Sequence, residues 1–205
     1  MPLLSVKNVS ADVRLGIWKI EESVETFISS LPALSIVYQQ EIAICHSETR
    51  RLEKLAVYSL LWEMTGCHLR LAHNAAGKPM VEGWNISVSH TKGYAAVILS
   101  RTSEVAVDIE YISNRVSRIA DKFMRPDEDA PSVIDQLINW CAKETLYKFC
   151  SSQNLQYFEM KISPADFAPS KRHAHNLKDD SLHVVCYEIT PEFVIAYMSP
   201  PESQL

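Results

Sequence analysis

Val105-Ala106-Val107-Asp108-Ile109-Glu110 and, further along, Trp140-Cys141-Ala142-Lys143-Glu144-Thr145-Leu146-Tyr147-Lys148 are the two segments around which the chain is organised. The first reads as a buried strand, because Val105, Val107 and Ile109 alternate with a second set of side chains. Strand side chains alternate faces, so Asp108 and Glu110 point the same way, about 7 Å apart. Two carboxylates that close repel each other, and burial forces one to take a proton. A bound divalent cation removes that conflict. The second segment reads as helix, and Trp140, Glu144 and Lys148 recur at spacing four to form one ridge. It adds a third carboxylate and, one turn on, a cation. Three carboxylates and a lysine suit a hard metal that shares its shell with phosphate oxygens.

Working outward, 205 residues suffice for one large domain or two small ones with a sizeable core. A hydrophobic content of 47% beside 22% charged residues is ordinary for a soluble globular protein. The net charge of −5 argues against a general nucleic-acid binder, which needs basic surface. No apolar run is long enough for a transmembrane helix, and the N-terminal residues lack the pattern of a signal peptide. Five scattered cysteines show no CxxC pair and no disulfide framework, which fits a reducing cytoplasm. Five glycines leave no Gly-rich phosphate loop, so any phosphate must be held by side chains and a metal.

In chain order, Leu15 to Ile20 reads as a strand and Glu21 to Ser30 as a short helix closed by Pro32. A longer helix runs from about Ser47 to Met64, with Leu52, Leu55, Ala56, Ser59 and Leu60 on one stripe and Gly66 as its stop. Arg50, Arg51 and Lys54 decorate its first half, ordinarily a solvated face. His73 to Met80 is a turn-rich loop carrying Lys78, and strands follow at Asn85–Ser89, Tyr94–Leu99 and Glu104–Ile112. Arg115, Arg118 and Lys122 share a helical face. Pro131 is expected in the first turn of the next helix, whose buried stripe is Ile134, Ile138, Cys141, Thr145 and Phe149. Lys143 is expected to point nearly opposite that stripe. Further strands are expected at Gln156–Ile162, Leu182–Ile189 and Phe193–Met198. Lys171–Asp180 is expected as a polar loop, and its His173-x-His175 pair lacks a third ligand at metal-binding spacing. The halves, 1–103 and 104–205, share a coarse helix-and-strand content, which makes the fold class α+β.

The two opening segments resemble the signature motifs of the 4′-phosphopantetheinyl transferases, a metal-binding Asp-x-Glu strand and an aromatic-Ser/Cys/Thr-x-Lys-Glu-x-x-x-Lys helix. Phe123-Met124-Arg125-Pro126-Asp127-Glu128, Gly77-Lys78-Pro79 and Asn85-Ile86-Ser87-Val88-Ser89-His90 resemble three further family motifs, in the family's order. The resemblance implies a surfactin-synthetase-activating type of enzyme: a monomer of two α+β lobes related by a pseudo-twofold, with the active site at their junction. It implies Mg²⁺, or Mn²⁺, held by Asp108, Glu110 and Glu144. It implies coenzyme A as substrate, contacted by Lys78, Ser89, His90, Lys148 and one or both of Arg50 and Arg51. Glu144 and Lys148 are then the catalytic pair, and Arg115 and Arg118 help dock an acidic acyl or peptidyl carrier protein.

The chain departs from the family at two positions. Relatives commonly carry a phosphate-binding arginine where this chain reads Ala56-Val57-Tyr58, and Ala106 replaces the glycine usual in the metal strand. Two other readings stand beside the transferase: a non-catalytic carrier- or coenzyme A-binding module, and a Mg²⁺-dependent hydrolase of nucleotide pyrophosphates.

Overall fold

The computed structural model describes residues 3–31, 34–164 and 169–200. Helix and strand are mixed, and the chain divides into two compact units, Met1–Ser103 and Glu104–Leu205. None of the described helices is long and apolar enough to cross a membrane.

The first unit comprises β1 (Leu3–Asn8), β2 (Val13–Lys19), α1 (Val24–Ser30), α2 (Leu34–Val37), α3 (Glu48–Thr65), β3 (Ala72–His73), β4 (Pro79–Met80), β5 (Asn85–Thr91) and β6 (Tyr94–Ser100). A π-helical turn at Tyr38–Ile42 follows α2. The sheet runs β1-β2-β6-β5, all antiparallel, and β3 and β4 form a separate hairpin. Every residue of β6, central in the sheet, is buried. Helix α3 packs on the sheet through Leu55, Ala56, Leu60, Leu61 and Met64. It stops where expected: Gly66 is left-handed at φ 68° and its N–H bonds to the Trp62 carbonyl, a conformation favouring glycine. Strand β1 escaped the sequence reading because it is a half-exposed edge strand with Leu4 and Val6 turned outward. Helix α1 starts at Val24, not Glu21, because Ser23 caps it by accepting from the Thr26 N–H. Pro32, expected to close it, lies outside the described residues.

The second unit comprises β7 (Ala106–Tyr111), α4 (Ala120–Phe123), α5 (Val133–Phe149), β8 (Met160–Ile162), β9 (Lys171–Asn176), β10 (Ser181–Ile189) and β11 (Phe193–Met198). Its antiparallel sheet runs β7-β11-β10-β9-β8, and α5 packs across it against all five strands. Ser132 caps α5 in a capping box with Asp135, so Pro131 sits before the cap and not in the first turn.

Four sequence expectations need correction here. Lys171–Asn176 is not a loop but β9, bonded to β8 and β10 on its two sides. Its alternate residues Arg172, Ala174 and Asn176 face inward, and the connecting loop is only the turn to Ser181. Gln156–Ile162 is a strand only from Met160, because Tyr157–Glu159 is a 3₁₀ turn boxed by Gln156 and Glu159. Arg115, Arg118 and Lys122 do not share one helix, since a 3₁₀ turn at Val116–Ile119 gives way to α4. Lys143 does not point to solvent but is fully buried. Helix α5 therefore buries far more than one stripe.

Candidate functional site

The acidic constellation belongs to the second unit. Strand β7 lies beside β11 with Asp108 opposite Ala196 and Glu110 opposite Val194, and the two carboxylates fall on one face of the strand. Asp108 is only 5% exposed. From α5, the Lys148 ammonium donates to Asp108 Oδ1 at 2.8 Å and to the Val107 carbonyl at 2.9 Å. Trp140 Nε1 donates to Glu110 Oε1 at 3.3 Å, and the Tyr157 hydroxyl donates to Glu144 Oε1 at 2.7 Å. Trp140, Glu144 and Lys148 thus reach the site as one helical ridge, each with its own partner.

Burial pushes the Glu144 carboxyl above the usual range, and the nearby charge of Asp108 adds to the rise against the Tyr157 and Lys148 contacts. Burial, with Glu144 as hydrogen-bond acceptor, likewise raises the Tyr157 phenol. Cys141 lies beneath this cluster, fully buried, and its thiol is pushed well up by desolvation and by Asp108. It behaves as packing, not as a nucleophile.

Oxygen donors of this kind fit a hard divalent cation. Their present arrangement gives each carboxylate a protein donor, and among the described residues no three His, Cys, Asp or Glu side chains are gathered into a metal-holding group. Ala106, fully buried in β7, pairs with Met198 without interrupting the strand.

The expected coenzyme A contacts all lie in the first unit apart from Lys148, and only some of them converge. The Arg50 guanidinium touches His90 Nε2 and donates to Glu53 Oε2 at 3.0 Å, and His90 Nε2 lies 3.6 Å from the same carboxylate. Glu53 was not foreseen, and its carboxylate offsets part of the Arg50 charge. Arg51 is turned away, its Nε donating to the Cys45 carbonyl at 2.8 Å. Ser89 is buried and His90 exposed, on opposite faces of β5. Lys78, at the end of the β3–β4 turn, lines an open groove of about 620 Å³ with Arg70, Trp84 and Asn85.

Tyr58, the residue at which the chain departs from the family pattern it resembles, is committed to partners within the protein. It is 6% exposed, its hydroxyl donates to Glu41 at 2.8 Å and accepts from the Leu71 N–H at 3.4 Å, and burial pushes its phenol up to about 12. Arg115 and Arg118 are exposed, and Arg115 lines a pocket of about 240 Å³ with Glu110, Tyr111 and Trp140. His173 and His175 share a face of β9, where His175 Nε2 bonds to Asp180 at 2.7 Å.

Tyr157, Glu128 and the buried side of Lys143 were missed as contributors. Lys143 stands next to Glu144 and Glu128 ends the segment from Phe123, but neither residue type nor spacing shows that the two pair. Nothing in the sequence around Tyr157 marks it. No protein-family model matches this chain, and no curated protein matches its sequence.

Proposed function

We propose that the protein is a Mg²⁺-dependent 4′-phosphopantetheinyl transferase acting on an acyl or peptidyl carrier protein. One observation carries the reading. Both signature segments meet within one unit, with Lys148 bonded to Asp108 and Glu144 close enough to feel the Asp108 charge.

Glu144 takes the proton of the carrier serine, whose oxygen bonds to the β-phosphorus of coenzyme A. The phosphorus–oxygen bond to the nucleotide breaks, leaving 3′,5′-ADP and the holo carrier. Lys148 faces the negative charge that develops on the leaving oxygen. A divalent cation held by Asp108, Glu110 and Glu144 would neutralise charge on the pyrophosphate oxygens. Arg50 and His90 receive the 3′-phosphate, Lys78 lies along the nucleotide, and Arg115 and Arg118 meet the acidic carrier.

The experiment is to follow 3′,5′-ADP from coenzyme A and Mg²⁺ with and without an apo acyl carrier protein. Release that depends on the carrier supports the transferase. Release without it identifies a hydrolase. The non-catalytic alternative draws on the carboxylates each being held by a protein donor, and it requires coenzyme A binding with no release under either condition.

A further inference from the structure

We infer that the buried ion pair of Lys143 and Glu128 is a positioning strut for the acidic site, acting through Tyr157; its catalytic consequence rests on the transferase reading. Both side chains are 0% exposed, with Lys143 Nζ 2.7 Å from Glu128 Oε2. The ammonium also donates to the Phe123 carbonyl at 2.6 Å and the Tyr157 carbonyl at 3.2 Å. Glu128 in turn accepts the Arg125 N–H at 2.8 Å through Oε2 and the Ile162 N–H at 2.7 Å through Oε1. One ammonium and one carboxylate therefore tie α5 to the end of α4, to the loop after it, and to β8.

The 3₁₀ turn Tyr157–Glu159 is pinned on both sides by this pair, at its first carbonyl by Lys143 and just beyond it, at Ile162, by Glu128. From that turn the Tyr157 hydroxyl reaches Glu144 at 2.7 Å. Its ring lies 5.4 Å from that of Trp140, tilted by 33°, and the Phe123 ring meets Trp140 at 5.0 Å, nearly perpendicular. The strut thus fixes Phe123 and Tyr157, the two rings that pack against Trp140 where it bonds Glu110. A buried ion pair is a poor device for stability, because desolvation offsets most of its attraction. A role in fixing geometry accounts for its presence in the core beside the site.

The test compares wild type with the double variant Lys143→Met, Glu128→Gln, which removes both buried charges and keeps an acceptor for the Ile162 N–H. Protein labelled with 5-fluorotryptophan gives four ¹⁹F signals, one for each tryptophan, and Trp140→Phe assigns the one of interest. The strut predicts a folded double variant melting within about 10 °C of wild type. Its Trp140 signal shifts or broadens, and kcat for carrier modification falls about 10- to 100-fold at an unchanged KM for coenzyme A. A folded variant with an unmoved Trp140 signal overturns the inference, whatever its rate. So does a moved signal with full rate. If the double variant does not fold, Glu128→Gln alone, held below its melting temperature, is read by the same criteria. If wild type shows no transfer at all, the transferase reading fails and the Trp140 signal alone decides the strut.

Discussion

The Tyr58 hydroxyl is committed to Glu41 and the Leu71 backbone, so its loss is a stability event and not a binding event. Tyr58→Phe removes a charge-assisted hydrogen bond and is expected to cost about 1.5–3 kcal/mol in denaturant unfolding. Coenzyme A affinity by calorimetry should stay unchanged. Asp12 is a second residue whose role is local. It accepts from the Ser100 and Thr102 hydroxyls and from the Arg101 and Thr102 N–H groups, and these bonds hold its carboxyl down at about 2. A depressed carboxyl contributes stability that is full above its unfolded value of 3.8 and is lost as pH falls through about 2. The urea midpoint of wild type should therefore exceed that of Asp12→Asn at neutral pH, and the gap should close between about pH 4 and 2. Glu144 and Lys148 were legible at this scale because helical spacing alone puts them on one ridge. Lys143 was not. Amphipathic periodicity reads a lysine opposite the apolar stripe as solvated, and only the tertiary fold supplies the carbonyls and carboxylate that let it be buried.

Helix α3 was readable to its end because Gly66 is a chemical stop signal; α5 was readable from its apolar stripe, but its start was misplaced at Pro131 because the Ser132–Asp135 capping box went unread. Strand β9 was misread because Lys-Arg-His-Ala-His-Asn has the composition of a loop. Its pairing with both neighbours outweighs that weak preference, as sheet context commonly does. The packing of α3 on β2 yields a prediction of its own. A Cβ on Gly16 would come within 2.8 Å of Met64 Sδ and 2.9 Å of Leu60 Cδ2. Both are side-chain ends that can turn, so Gly16→Ala should fold and lose about 1–2 kcal/mol by overpacking, read in denaturant unfolding.

For the whole molecule, the helix-and-strand mixture was legible from hydrophobic periodicity, which sets element type without fixing how elements meet. The acidic site was legible in part. Asp108, Glu110, Glu144 and Lys148 carry their chemistry in residue type and spacing. Tyr157 does not, because its hydroxyl reaches Glu144 only after a 3₁₀ turn folds against α5. Arg50 and His90 meet only because α3 and β5 pack in one unit, and sequence distance conceals that. Glu144 is the proposed base of the phosphopantetheinyl transfer. The measurement is the intact mass of an apo acyl carrier protein after incubation with coenzyme A, Mg²⁺ and either wild type or Glu144→Gln. A phosphopantetheine mass gain is expected with wild type, and an initial rate lower by about 10²- to 10⁴-fold in the variant. A carrier that stays apo with wild type, or gains the group equally fast with Glu144→Gln, would contradict it.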